Sequence, residues 1–191
     1  MADYSDDFNR ATIGANWTTV SAATTWAITG NVRAYSYGDN YNAMVWSANS
    51  LTQDHYSEAV MGTCIISYNS GGVCCRASNA ADTWYGFFVN TGGCFLHKMV
   101  AGSGADLATN AAVGANGSVV RIEVTGAGDI TCKIDGSTVI TYTDSSSPLS
   151  GTYCGVTSRG SNSDNISLDS WAGGDLGGGA TAKAYNYYAQ L

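Results

Sequence analysis

The feature that most constrains the fold is the strict alternation of apolar and polar residues between positions 118 and 143. Val120, Ile122 and Val124 recur at every second position in SVVRIEVTG, and Ile130 and Cys132 do the same in ITCKIDG. Side chains two positions apart point to the same side of a β-strand, so each segment predicts a strand with one buried face. A helix would space its apolar residues three or four apart, and that period is almost missing from the chain.

Turn residues separate the alternating segments throughout the second half of the chain. Asp135-Gly136 lies between ITCKI and STVITYTD, and this pair predicts a tight hairpin because Gly accepts a positive φ without penalty. Two further strands are predicted at SGTYCGVTSRG and NISLDSW. Together these segments predict a meander of about five antiparallel strands.

The first half predicts shorter and less regular strands. They lie at NWTTV, TWAIT, NVRAYS and NAMVW, followed by a long strand at YSEAVMGTCIIS and three more at GGVCCRAS, TWYGFFVN and CFLHKMVA. About 12–14 strands in a chain of this size indicate an all-β protein with two packed antiparallel sheets. No segment repeats at a fixed period, which disfavours a propeller or solenoid.

Charge and hydropathy exclude two classes of partner. The net charge is −7, with eight Lys and Arg residues that form no basic run. Nucleic-acid binding needs a basic stripe, so we expect none. No apolar run approaches the roughly 20 residues of a membrane helix, so no membrane insertion is expected.

Six cysteines are present, and Cys75, Cys94, Cys132 and Cys154 are among those inside predicted strands. Cysteine at such positions usually behaves as a small buried hydrophobe, so free thiols are expected, with a disulfide as the alternative. The zinc spacing C-x2-C is missing. The opening MADYSDDFNRATIG has no apolar run of the kind that an export signal carries, which also favours reduced cysteines.

Three segments resemble concanavalin A-like lectin/glucanase jelly rolls of the laminin-G-like type. They are DDFNRATIGANW, WAITGNVRAY, and the block from GSVVRIEVTG through STVITYTD and SGTYCGVTSRG to ISLDSW, about residues 5–173. The resemblance implies a two-sheet jelly-roll sandwich. The family contains carbohydrate-binding modules, glycosidases and bacteriophage virion proteins, so fold membership alone does not choose a function.

Catalysis is not expected. Glycosidases of this family carry a strand with the pattern E-x-D-x-x-E, whereas Glu58 and Glu123 are this chain's only glutamates and neither lies in such a motif. Glu123 is predicted to point outward beside Arg121, and Glu58 to lie on the surface. We predict His55 at a loop edge and His97 on a solvent-facing strand side, with no nucleophile elbow near either.

Sugar binding is the alternative that the aromatic residues suggest. Tyr35, Tyr37, Tyr41 and Trp46, with Trp84, would supply a carbohydrate-stacking surface if they lie on one sheet face. Aromatic residues in strands more often belong half to the core and half to the edge, which is the plainer interpretation.

No cofactor or catalytic metal is expected. The resemblance implies a further possibility, because some members of that family hold a structural calcium between acidic residues of the first and last strands. Asp6, Asp7 and Asp169 occupy comparable places here, which leaves a structural calcium as a minor alternative.

The C-terminus predicts a second, smaller unit. Residues 1–172 form the predicted jelly-roll domain and residues 173–191 a flexible arm, because residues 173–179 are too rich in glycine to pack as a strand. Tyr185, Tyr187, Tyr188 and Leu191 at the tip have the profile of interface anchors. We expect this tip to bind a partner.

The resemblance and the arm together predict a non-enzymatic virion structural protein. The expected role is capsid decoration, as a cement protein that docks on the major capsid protein and assembles in the host cytoplasm. A homo-oligomer is expected, and a trimer would suit three-fold capsid sites. The alternative is a carbohydrate-binding module or a receptor-binding tail-fibre domain that recognises a cell-surface glycan.

Overall fold

The chain is an all-β sandwich of two antiparallel sheets, as predicted. The computed structural model describes residues 3–21, 25–30, 33–36, 40–65, 69–160 and 166–177. Within these ranges there are fifteen strands and no helix, and therefore no helix able to span a membrane.

In chain order the strands are β1 (Asp3–Asp6), β2 (Trp17–Thr19), β3 (Trp26–Thr29), β4 (Arg33–Ser36), β5 (Asn42–Trp46), β6 (His55–Cys64), β7 (Ser70–Ala77), β8 (Trp84–Asn90), β9 (Gly93–Val100), β10 (Ser103–Asn110), β11 (Val119–Thr125), β12 (Asp129–Ile134), β13 (Ser137–Thr143), β14 (Tyr153–Arg159) and β15 (Ile166–Asp175).

Both sheets combine strands from the two halves of the chain. The back sheet has the order β13-β12-β11-β6-β15-β4-β3, with β1 also paired to β15, and the front sheet has the order β10-β9-β8-β7-β14-β5-β2. The predicted five-strand meander is correct only for β11, β12 and β13. The chain then crosses to the front sheet with β14 and returns with β15 between β6 and β4. Alternation specifies which side chains a strand buries, but not its neighbouring strands.

Two strands were not predicted from the sequence. Strand β10, with the sequence SGADLATN, is a largely exposed edge strand of small and polar residues, so it has no apolar alternation to detect. Strand β1 is only four residues long.

Large apolar side chains fill the space between the sheets. The most deeply buried include Phe8, Met44, Met61, Phe87, Leu96, Ile122, Ile130, Ile166 and Trp171. Removal of this apolar surface from water, at about 25 cal/mol per Å², is the main force that holds the sheets together.

All six cysteines are buried and free. Burial raises the pKa of the Cys74, Cys75, Cys132 and Cys154 thiols well above the ordinary value. Since the thiolate is the reactive form, these side chains act as apolar packing groups.

The boundary predicted at residue 173 falls inside a strand, because β15 continues through Gly173 to Asp175. Gly173 pairs with Ser57 of β6 and with Tyr4 of β1. A Cβ atom at this position would collide with the Trp171 ring and the Cys154 sulfur. Glycine is therefore a packing requirement here. The predicted anchors Tyr185, Tyr187, Tyr188 and Leu191 lie outside the described residues.

We predict that Gly173→Ala lowers the free energy of unfolding by about 1–3 kcal/mol, because overpacking forces neighbouring groups to shift. Gly14→Ala is the matched control, since its added methyl would make only ordinary contacts with Arg10 and should change stability by less than about 0.5 kcal/mol. Urea denaturation of the two variants measures the difference. Equal stability of the two variants would contradict the packing argument.

His55 lies at the start of β6 and is fully buried, so the predicted loop-edge position is wrong. Its Nδ1 is 2.6 Å from the Thr52 carbonyl oxygen, and its Nε2 accepts the Arg76 backbone N–H at 2.9 Å. Nδ1 therefore carries the proton and donates it to Thr52. Burial lowers the pKa of His55, so the folded protein holds a neutral imidazole.

We predict that stability falls between pH 7.5 and pH 5.5 because of His55. Its folded pKa is below the unfolded value of about 6.5, so the unfolded chain takes up a proton that the folded chain rejects. Urea unfolding at several pH values should show a smaller decrease for His55→Gln, whose side chain still accepts the Arg76 N–H. The same pH dependence in both proteins would contradict this assignment.

Candidate functional site

The outer face of the front sheet, which points away from the back sheet, carries a second apolar cluster. It consists of Ala43, Val45, Cys74, Ala77, Trp84, Phe88 and Met99, all buried. The outer face of an antiparallel sheet is commonly exposed to solvent and polar, so a buried apolar cluster on this face is unusual. On β8 the rings of Trp84 and Phe88 close over Gly86, where a Cβ atom would lie 2.6 Å and 2.8 Å from them.

His97 lies on this face but is only 2% exposed, so the predicted solvent-facing position is wrong. Strand β10 places Asp106 opposite it, and His97 Nδ1 is 2.7 Å from Asp106 Oδ1. The Tyr41 ring stacks on the imidazole with a centroid distance of 4.0 Å and an interplanar angle of 15°. The histidine is therefore fixed from its edge by a carboxylate and from its face by an aromatic ring.

The second nitrogen of His97 has no partner among the described residues. Nδ1 faces a carboxylate and carries the proton, which leaves Nε2 as an acceptor. Nε2 is buried and lies against Gly104, where a Cβ atom would collide with it. A buried polar atom without a hydrogen bond costs about 1–3 kcal/mol, so each one needs a physical explanation.

A cleft of about 380 Å³ opens beside this histidine. The segment before β5, the turn before β8, and the ends of β9 and β10 form it. Its lining residues are Ser21, Asn40, Tyr41, Asn42, Asp82, His97, Met99, Gly102 and Gly104. Polar side chains thus surround an aromatic and thioether floor.

Asp82 is the carboxylate of the cleft lining. Its Oδ1 accepts the Trp84 indole N–H at 2.7 Å, and its backbone carbonyl accepts the Gly102 N–H at 2.9 Å. Burial raises the pKa of Asp82, although Trp84 and His97 act in the opposite direction. No described residue hydrogen-bonds its Oδ2, which leaves that oxygen available to a ligand.

Tyr41 separates the cleft from the rest of the outer face. The Arg159 guanidinium lies 4.9 Å from the ring centroid, and the Phe88 and Phe95 rings meet it edge-on at 5.3 Å and 6.2 Å. Burial, followed by the negative charge of Asp106, raises the pKa of the Tyr41 hydroxyl.

The predicted stacking residues do not form one surface. Tyr35 is buried in β4 of the back sheet, and Trp46 packs between Trp17 and Trp171 at centroid distances of 5.6 Å from each. Tyr37 lies outside the described residues, so of the four only Tyr41 is shown to line the cleft. Tyr35 and Trp46 lie away from this cleft, and the sequence could not show this because alternation does not reveal which sheet a strand joins.

The two glutamates lie on the outer face of the back sheet and line neither this cleft nor the second one near Tyr153. Arg121 contacts Glu58 at 3.4 Å and Glu123 at 2.6 Å. Burial raises the pKa of Glu123, but hydrogen bonds from Lys133 and Arg121 outweigh it and lower the pKa. Glu123 lies beside Arg121 on the outer face, as predicted, whereas Glu58 is half-buried rather than exposed.

The acidic residues near the first strand are engaged by protein donors. Asp6 accepts hydrogen bonds from Arg10, from the Trp17 indole at 2.6 Å and from the Phe8 backbone at 2.8 Å. Asp7 accepts one from the Asn9 N–H at 2.9 Å. In the described part of the chain, no three His, Cys, Asp or Glu side chains are grouped to hold a metal ion.

Comparison with known proteins identifies the fold. No protein-family model and no curated protein matches the sequence. Among solved structures, the carbohydrate-binding module CBM66 from Bacillus subtilis is similar, with a TM-score of 0.57 and 20% identity over 84% of this chain and 92% of that module.

Two lectin-like domains are similar to a comparable degree. The carbohydrate recognition domain of Emp47p has a TM-score of 0.56 at 15% identity, covering 90% of this chain and 95% of that one. The exoplasmic/lumenal domain of VIP36 in its Ca²⁺/Man-bound form has a TM-score of 0.59 at 12% identity, covering 84% and 83%. These similarities support the concanavalin A-like jelly roll that the sequence resembles.

Enzymes share the fold as well. The GH43 protein BlXynB from Bacillus licheniformis has a TM-score of 0.63 at 13% identity, over 90% of this chain but only 39% of that one. The Crh5 transglycosylase has a TM-score of 0.59 at 12% identity, over 93% and 85%. Function therefore has to be argued from the site rather than from the fold.

Proposed function

We propose that this chain is a glycan-binding module and that carbohydrate binds in the cleft on the outer face of the front sheet. The observation that carries the proposal is the buried His97, held by Asp106, with its Nε2 unbonded to any described residue at the wall of that cleft.

The cleft chemistry suits a sugar. Hydroxyl groups donate hydrogen bonds, and Asp82 Oδ2 and His97 Nε2 are acceptors without a partner among the described residues. The apolar face of a sugar ring packs against aromatic and thioether groups, and the cleft lining contains both in His97 and Met99. Ligand sites typically combine an apolar floor with a few placed polar groups.

The similar structures favour binding over the virion role. Their titles name a carbohydrate-binding module and carbohydrate recognition domains, and none of those reported above names a phage protein. Capsid docking was predicted from the C-terminal arm, residues 173–191, and most of these residues lie outside the described part of the chain. Glycan binding, the alternative in the sequence analysis, is therefore the function that we propose.

We also propose that the chain binds glycan without hydrolysing it. Glycoside hydrolysis ordinarily needs two carboxyl groups placed across the scissile bond. Asp82 is the one carboxylate among the described residues that line the cleft. Glu58 and Glu123 share Arg121 on the opposite side of the sandwich.

We predict that Asp82→Asn weakens glycan binding by about ten-fold or more, because a charged acceptor contributes roughly 1.5–3 kcal/mol to a hydrogen bond. The amide oxygen can still accept the Trp84 N–H, so the fold should persist. Affinity electrophoresis against a panel of soluble polysaccharides identifies a ligand, and calorimetry then measures the affinity.

Asp129→Asn is the matched control, because Asp129 lies on β12 of the back sheet and its side chain accepts, from the described part of the chain, a single hydrogen bond at 2.7 Å from the Thr143 hydroxyl. It should bind as the unmodified protein does. Absence of binding to every polysaccharide, or equal affinities for both variants, would overturn the proposed function.

A further inference from the structure

We infer that Tyr41 is a displaceable cover, and that its ring fills a subsite for one sugar ring between His97 and Arg159. This inference rests on the proposed function and deepens it. It changes the expected role of Tyr41 from a platform on which a sugar stacks to a group that the sugar replaces.

The surroundings of the Tyr41 ring resemble those of a bound ligand. One face stacks on the His97 imidazole at 4.0 Å, and the Arg159 guanidinium lies over the ring at 4.9 Å. The hydroxyl accepts only a long hydrogen bond of 3.4 Å, from Arg159. Such a bond is weak, so face contacts hold the ring and a sugar ring of similar size could replace them.

Tyr41 also lies just beyond the hydrogen-bonded part of its strand. The β5–β14 ladder ends at the Asn42–Ser158 pair, so Tyr41 is the first residue beyond it. On either side of Tyr41, the Asn42 side-chain Nδ2 donates a hydrogen bond to the Asn40 carbonyl oxygen at 2.7 Å. Rotation of the Tyr41 side chain therefore breaks no ladder hydrogen bond.

The covered state leaves polar atoms unsatisfied on this sheet face. Ser70 lies opposite Arg159 in the ladder, and Thr157 is two residues before Arg159, so both point to the same side as Arg159. Their hydroxyls, like His97 Nε2, are buried without a hydrogen-bond partner among the described residues. A ligand that replaces the Tyr41 ring would bring hydroxyl groups to a sheet face that carries unsatisfied polar atoms.

A cover and a platform predict opposite effects of the same substitution. If Tyr41 were a platform, Tyr41→Ala would remove contacts and weaken binding. If Tyr41 is a cover, the open state is only partly populated, and the measured dissociation constant is the intrinsic value divided by that fraction. Removal of the side chain should then tighten binding.

The first experiment measures affinity by calorimetry with the polysaccharide that the unmodified protein binds best. We expect Tyr41→Ala to bind about three-fold to ten-fold more tightly, as for an open population of about 10–30%. Tyr142→Ala, a half-buried tyrosine of β13 in the back sheet, should leave affinity unchanged. Weaker binding by Tyr41→Ala would overturn the cover.

The second experiment needs no glycan. Diethylpyrocarbonate modifies accessible imidazole nitrogens, and the chain has two histidines. His55 has both nitrogens hydrogen-bonded and serves as an internal control. We expect His97 to react about three-fold to ten-fold faster in Tyr41→Ala than in the unmodified protein, because there the ring already uncovers His97 in the same fraction of molecules, about 10–30%.

The two experiments separate the cover from the proposed function. An increase of about three-fold to ten-fold, with His97 measurably reactive in the unmodified protein and no glycan bound by any variant, would support the cover and refute glycan binding. His97 as unreactive as His55 in the unmodified protein would refute the cover. An unchanged modification rate, with His55 unreactive throughout, would refute the cover whether or not a glycan binds.

Discussion

The closure of Trp84 and Phe88 over Gly86 is the packing interaction on which the candidate site depends. It gives the front sheet a buried apolar cluster on its outer face, beyond the core that it shares with the back sheet. His97 packs beside these rings, 5.8 Å from Trp84 and 6.2 Å from Phe88, and Tyr41 covers it. Glycine at position 86 is required because any side chain would overlap both rings.

The two outer faces of the sandwich serve different purposes. On the back sheet, Arg121 joins Glu58 and Glu123, and Lys133 extends the network at 2.8 Å, so these charges are paired. On the front sheet, aromatic rings surround the unpaired acceptor of His97. The first arrangement stabilises a sheet face, while the second leaves hydrogen-bonding capacity that a ligand can use.

Sequence patterns predicted the fold class because alternation reports directly on which strand faces are buried. They did not predict that β14 joins the front sheet, since pairing partners depend on contacts distant in sequence. The site was harder to predict for the same reason. His97 was assigned to solvent because its partners Asp106 and Tyr41 come from the unpredicted strand β10 and from the segment before β5. The Gly104 next to its ring was the available signal, since glycine in a strand often marks a close approach.

The central claim is that the outer face of the front sheet binds carbohydrate. Backbone amide NMR during titration with the preferred soluble glycan tests it most directly, because one spectrum monitors the amide shifts of both sheets. The account predicts that the largest shift changes cluster at Tyr41, Asp82, His97 and Gly104. Changes centred on Arg121 of the back sheet, or a spectrum unaltered by every glycan tried, would contradict it.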